Sequence, residues 1–260
     1  MSNILKEIAS RTEERIEEEK KKEPLREIRE RAENAGENAQ SLYDVLKRTG
    51  MSFICEVKKA SPSKGLIAER FPYLEIAQEY EAAGAAAISC LTEPYYFQGR
   101  DAYLREITEK VSIPVLRKDF TVDEYMIYQA KTLGASAVLL ICAILDDSQL
   151  HDFRQLAEEL EMNALVEAHD EREVERAMRA GARIVGVNNR DLRDFSVDMG
   201  NSIRLRRLVP KDIAFVSESG IKTADDIEKL QGCGVDAVLI GETLMHAEDK
   251  RAMLDELRGM

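Results

Sequence analysis

Short apolar runs recur along the chain with amphipathic stretches between them, beginning near Phe53, Ala85, Ile113, Ser136, Asn163, Arg183, Ile213 and Val235. A short continuous apolar run is the mark of a strand buried on both faces. The intervening segments 73–83, 122–132, 147–161, 171–180 and 224–231 carry helical spacing, and Gly84, Gly134, Gly181 and Gly234 stand where a helix would be capped and turned into the next strand. Repeating βα units of this length require parallel strands with right-handed crossovers. Eight of them predict a closed barrel. An open doubly wound sheet is the competing arrangement, but the turn after the first run, Lys58-Lys-Ala-Ser-Pro-Ser-Lys-Gly65, has no GxGxxG pattern. The expected class is α/β: a single (β/α)8 TIM barrel with an N-terminal helical extension.

The extension is residues 1–50, and the barrel forms the catalytic domain, 51–260. Segment 2–50 is charge-dense, with sparse apolar positions at helical spacing (Ile4, Leu5, Ile8, Ile16, then Leu25 and Ile28 after Pro24), which predicts two or three surface helices without a core of their own. A length of 260 residues suits one such barrel. A formal net charge of -12 disfavours a nucleic-acid or anionic-membrane partner, though not a small basic pocket. Cys55, Cys90, Cys142 and Cys233 are widely spaced without CxxC and read as buried free thiols of a reducing compartment. No stretch reaches the roughly 20 apolar residues of a membrane span, and 1–20 lacks a signal-peptide core, so a cytoplasmic location is expected.

The ends of the apolar runs carry the chemistry. In a barrel the C-terminal ends of all strands open into one mouth. That rule gathers Glu56 and Lys58 from the first run, Lys118 from the third, Glu167 from the fifth, Asn188 and Arg190 from the sixth and Glu218 from the seventh. Two lysines and three glutamates in a partly dry mouth shift one another's proton affinity, as acid–base catalysis requires. A network of ion pairs that merely neutralises buried charge is the plainer reading. Small residues follow the last two runs: Ser219 and Gly220, then Gly241 before Glu242. Turns at these positions commonly offer backbone N–H groups to a phosphate, and Ser61 and Lys58 can reach the same anion from the neighbouring first strand. The stretch Leu91-Thr-Glu-Pro-Tyr-Tyr-Phe-Gln-Gly99 supplies either an aromatic wall for a flat ring or a packed loop. His151, His169 and His246 have no metal-ligand spacing and receive no role.

Seven ordered motifs are more specific. Cys55-Glu-Val-Lys-Lys-Ala-Ser-Pro-Ser-Lys-Gly65, Ala85-Ala-Ala-Ile-Ser-Cys-Leu-Thr-Glu93, Pro114-Val-Leu-Arg-Lys-Asp-Phe120, Leu165-Val-Glu-Ala-His169, Gly186-Val-Asn-Asn-Arg-Asp-Leu192, Val216-Ser-Glu-Ser-Gly-Ile221 and Leu239-Ile-Gly-Glu-Thr-Leu-Met245 together resemble the indole-3-glycerol phosphate synthase family over almost the whole chain. The resemblance implies a (β/α)8 lyase of tryptophan biosynthesis. Its reaction converts 1-(2-carboxyphenylamino)-1-deoxyribulose 5-phosphate to indole-3-glycerol phosphate with loss of carbon dioxide and water. It implies neither a metal nor an organic cofactor. The expected partner is this small phosphorylated substrate, and a monomer or a weak homodimer is the expected assembly.

By that resemblance Lys118 is the general acid at the substrate ketone and Glu167 the carboxylate of the later proton removal or dehydration, with Glu56 and Lys58 as close partners. Asn188, Arg190, Glu218 and Ser219 fall on substrate-contacting positions, and Phe97 matches an aromatic beside the anthranilate ring. Burial would lower the proton affinity of Lys118 and neighbouring glutamates would raise it; the sequence leaves that balance open. Segment 69–72, Thr243 and Cys142-Ala143 depart from the family pattern without touching the acid–base set. Other phosphate-binding barrels, a Schiff-base aldolase using Lys118, and an inactive barrel serving as sensor or scaffold are the competing readings.

Overall fold

The computed structural model describes residues 4–36, 40–191 and 195–260; Leu192, which ends one of the motifs above, lies outside them. Eight parallel strands close into a barrel: β1 (Ser52–Val57), β2 (Ala87–Leu91), β3 (Val115–Lys118), β4 (Ala137–Ile141), β5 (Asn163–Ala168), β6 (Ile184–Asn188), β7 (Ala214–Glu218) and β8 (Ala237–Ile240). The seam joins β1 to β8, with Ser52 opposite Ala237 and Cys55 opposite Ile240. A two-stranded hairpin, Ala60–Ser61 with Gly65–Leu66, stands on the rim after β1. The expected class and closure are both observed.

Alternation along each strand divides the core in two. Ile54, Leu116, Leu139, Leu165, Ile184, Val216 and Leu239 point inward and fill the barrel, whereas Phe53, Val115, Val138, Val166, Val185, Phe215 and Val238 point outward beneath the helices. The outer layer is α4 (Tyr73–Ala82), α5 (Asp101–Thr108), α6 (Glu124–Thr132), α7 (Asp147–Glu159), α8 (Glu171–Arg179), α9 (Gly200–Arg206), α10 (Ala224–Gly232), α11 (Glu242–His246) and α12 (Lys250–Leu257), preceded by α1 (Ile4–Lys22), α2 (Leu25–Glu33) and α3 (Leu42–Leu46).

Several strands start one or two residues later than their apolar runs. For β2 and β8, whose runs begin at Ala85 and Val235, the reason is the cap. Gly84, Gly134, Gly181 and Gly234 all take the left-handed conformation, with φ of 80–82°, and the next residue in each case returns its N–H to a carbonyl of the preceding helix (Ala85 to Tyr80, Ala135 to Ala130, Ala182 to Ala177, Val235 to Leu230). These apolar residues close Schellman caps and belong to the helix end rather than to the strand. Cys55, Cys90 and Cys142 are buried free thiols as expected; Cys233 caps α10 at the surface and is exposed. Among the described residues no helix is long and apolar enough to cross a membrane.

The N-terminal segment grips the barrel at both ends. Ile4, Leu5 and Ile8 of α1 reach over the mouth. Farther along the same helix, Arg15 Nη2 donates to both carboxylate oxygens of Asp119 at 3.1 Å, and Lys20 Nζ donates to Asp123 at 2.7 Å. At the opposite end, α3 buries Leu42, Val45 and Leu46 against the inner core. Its fastenings are polar: Ser41 Oγ and the Tyr43 N–H donate to Asn163 Oδ1 at 3.1 and 3.0 Å, and Lys47 Nζ donates to Asp236 at 2.8 Å. The break between α1 and α2 falls at Pro24, which occupies the N-cap position of α2 and has no N–H to extend α1.

Candidate active site

The alternation that fills the barrel also aims its charges. Positions 54, 56 and 58 share one side of β1 and its extension, as do 116 and 118 on β3, 165, 167 and 169 on β5, and 214, 216 and 218 on β7; the inward apolar residue beneath each charge fixes its direction. Glu56, Lys58, Lys118, Glu167, Asn188, Arg190 and Glu218 all line one cavity of about 990 Å³ at the C-terminal mouth. Of the charged trio at the end of β3, only Lys118 joins this acid–base group. Arg117 points outward into the helix layer, 2% exposed, and donates to Thr92, Met126 O, Asp101 and Gln129; Asp119 turns to Arg15 and Thr92.

Lys118 Nζ donates to Glu167 Oε2 and Glu218 Oε2, both at 2.9 Å. Burial opposes its charge, but Glu167, Glu218 and Glu56 outweigh burial and hold its pKa above that of a free lysine. The balance left open by the sequence is thus decided for the ammonium form. Glu167 and Glu218 divide the lysine unequally. Burial drives both carboxyls upward; Lys118 and then His169 bring Glu167 below its ordinary value, where it also accepts from Asn188 Nδ2 at 3.5 Å. Glu218, whose Oε1 has no hydrogen-bond partner among the described residues, is pushed by burial up to about 7, with Lys118 working against the rise. On the far side of the mouth Lys58 pairs with Glu56 rather than with Glu167.

Phe97 lies at the cavity wall, its ring 6.2 Å from that of Phe120. Its loop is organised by Glu93, which is fully buried and accepts the backbone N–H groups of Tyr95, Tyr96 and Phe97 at 2.9, 2.7 and 2.9 Å. Tyr95 and Tyr96 face Arg11 of α1 instead. Ser61, Ser219, Gly220, Gly241 and Glu242 gather at another part of the rim. Ser219 and Gly220 are both left-handed (φ 69° and 87°), a strained geometry for serine that Asn189 Nδ2 supports by donating to Ser219 O at 3.1 Å. Thr243 Oγ1 donates to Ile221 O at 2.9 Å and ties α11 to the same turn. The Glu242 carboxylate lies 3.0 Å from Lys64 Nζ and 3.8 Å from Arg190 Nη2, so any contact of this residue with an anion falls to its backbone N–H.

His169, given no role from the sequence, stands two residues beyond Glu167 on the same side of β5. Its Nε2 is 3.4 Å from Glu167 Oε1, and its Nδ1 is 3.0 Å from Glu173 Oε2. Burial works against the imidazolium, but Glu173, Glu167 and Glu218 overcome it and lift His169 to about 8. A histidine raised from 6.5 stabilises the fold fully below 6.5, and that contribution fades as pH rises through about 8. Glu218, raised from 4.5 to about 7, has the same sign: its contribution is complete below 4.5 and gone above about 7. The unfolding temperature of His169→Asn should therefore lie below that of the parent near pH 6 and converge with it near pH 9. A gap that stays constant across this range in calorimetry would refute the assignment.

Relatives share both architecture and sequence. The family model for indole-3-glycerol phosphate synthase matches residues 5–257. The indole-3-glycerol phosphate synthase of Ruminiclostridium cellulolyticum is 55% identical over 257 residues, covering 98% of this chain and 99% of that protein. That of Lacticaseibacillus paracasei is 59% identical over 209 residues, 80% of each chain. Among solved structures, 3-hexulose-6-phosphate synthase from Salmonella typhimurium superposes with a TM-score of 0.66 at 15% identity, over 80% of this chain and 97% of that one. Thiamine phosphate pyrophosphorylase from Pyrococcus furiosus does so with a TM-score of 0.61 at 18% identity, over 84% and 96%. At such identities the solved structures carry the barrel fold alone. The match over nearly the full length, with identities above half, makes this chain a member of the indole-3-glycerol phosphate synthase family.

Proposed function

We propose that the barrel of residues 51–260, completed by the extension of residues 1–50, closes the indole ring of 1-(2-carboxyphenylamino)-1-deoxyribulose 5-phosphate. The observation that carries this reading is the Lys118 ammonium held by two buried carboxylates in a mouth walled by Phe97, Phe120, Leu5 and Ile8. An aromatic carbon attacks the substrate ketone, and Lys118 gives its proton to the developing alkoxide. Carbon dioxide then departs with its bonding electrons left in the ring. Loss of water follows: the carbinol oxygen leaves with a proton from an acid of the site, Lys118 or Lys58, while Glu167 removes the proton that restores the double bond. Glu56 pairs with Lys58 on the opposite rim.

Asn188 and Glu218 orient the reacting end, and Arg190, with five donors in a planar fork, is suited to the substrate carboxylate. The phosphate falls to the backbone of Ser219, Gly220, Gly241 and Glu242, with Ser61 beside them. Against a Schiff-base mechanism stands the raised pKa of Lys118, since attack on a carbonyl needs the free amine. The enzyme is assigned to the cytoplasm. Incubation of the purified protein with the carboxyphenylamino deoxyribulose phosphate should develop indole absorbance; a folded protein that yields none overturns the reading.

A further inference from the structure

Gly186 occupies the middle of β6, where a glycine weakens a strand and marks close approach by another group. Its backbone does not call for glycine, because its φ is not positive. What matters is the missing side chain. The register sets Gly186 beside Glu167 of β5 and Val216 of β7. A Cβ at this position would lie 2.3 Å from Glu218 Oε1, 3.4 Å from Glu218 Cδ and 3.1 Å from Leu165 Cδ1. The Glu218 carboxylate therefore fills the space a side chain at 186 would take, and its oxygen without a hydrogen-bond partner is the one lying there. The other oxygen reaches Lys118. Gly241, also with negative φ (-116°), repeats the arrangement at the second acid–lysine pair: a Cβ there would lie 2.3 Å from Glu56 Oε1 and 2.9 Å from Lys58 Nζ.

We propose that Gly186 is a positioning residue for the reaction, its bare Cα providing the space that lets Glu218 stand against Lys118, and that Gly241 does the same for Glu56 and Lys58. The inference rests on the proposed ring closure and adds to it the residues that set the acid's geometry. The collision partner is the end of a side chain with little room to move. Glu218 is buried beneath Lys118, and Leu165 closes the other side, so a methyl at 186 turns the carboxylate away from the lysine. Lys118 is then held by Glu167 alone and shifts toward it. Misplacing a reacting group by about 1 Å is worth up to ~10²-fold in rate.

The test is a cycle of Gly186→Ala, Glu218→Asp and the double variant. Gly186→Ala is expected to lower kcat by roughly 10- to 100-fold with a smaller change in KM. Glu218→Asp is expected to be impaired because its carboxylate falls a methylene short of Lys118. Since that shorter acid vacates the volume the new methyl fills, the double variant should be clearly less impaired than the product of the single effects. Turnover of Gly186→Ala within about twofold of the parent, or purely multiplicative effects in the double variant, overturns the proposal. Should Gly186→Ala fold poorly, denaturant unfolding in the Glu218→Ala background decides: relief of the destabilisation supports the collision, and an equal loss refutes it. That stability cycle needs no substrate, so it stands or fails separately from the absence of indole product in the parent enzyme.

Discussion

Replacing Lys118 with methionine should reduce kcat by about 10²- to 10⁴-fold, the usual contribution of a placed general acid. Methionine keeps most of the volume and removes the charge. Glu167 and Glu218, both within 2.9 Å of the lost ammonium, are then left with no shared cation, and breaking a buried pair in this way costs about 3–5 kcal/mol when the residual charge remains. Glu218, already raised to about 7, is the carboxyl that will take up a proton instead. The variant should consequently be closest to the parent in stability at acidic pH and fall behind as pH rises. Steady-state turnover together with thermal unfolding between pH 5 and 8 checks both parts. Turnover within a few-fold of the parent removes Lys118 from the mechanism, and a pH-independent stability deficit removes the account of its partners.

Asp119→Ala should produce the largest loss of stability outside the reacting groups. Asp119 is 1% exposed and accepts from Arg15, Thr92 Oγ1 and the Phe120 N–H, the last two at 2.7 and 2.8 Å; Arg15 and Arg117 overcome burial and hold its pKa below the ordinary carboxylate value. Removing it leaves Arg15 with Glu19 at 4.0 Å as its remaining ion pair among the described residues. Arg117 keeps other acceptors, so the cost belongs at the lower end for a broken buried pair, ~3 kcal/mol, or roughly 10 °C in unfolding temperature for a chain of this size. Because α1 carries Ile4, Leu5 and Ile8 to the mouth, KM should rise as well. Calorimetry that finds the midpoint unmoved, or proteolysis that finds α1 no more accessible, would disprove the tether.

The sequence read most clearly where chemistry repeats with a short period. Apolar runs located all eight strands, and glycines 84, 134, 181 and 234 marked real caps, because both signals are local. The rule that strand C-terminal ends open into one mouth was enough to bring Glu56, Lys118, Glu167 and Glu218 together. It could not say which of them touch, since β1 and β5 stand on opposite sides of a closed ring and a pairing such as Lys118 with Glu218 spans 100 residues. Arg117 adjoins Lys118 in the sequence, but its odd position turns it outward. His169 could have been found by the step of two from Glu167, but its value depends on Glu173 in the next helix. Gly186 left no trace in residue chemistry, because its role is the volume it does not fill.

The grip of the extension on both ends of the barrel has a consequence for biosynthesis. Residues 41–47 precede every strand of the barrel, yet their anchors are Asn163, Asp212 and Asp236, and the bond from Lys47 to Asp236 spans 189 residues. β1 meets its second neighbour only when β8 has been made. A nascent chain must therefore leave Lys47 without Asp236, and one edge of β1 unpaired, until residues 236–240 have been made. Such late pairing slows folding and exposes apolar surface meanwhile. Closure of the seam and completion of the active-site mouth become nearly the same event.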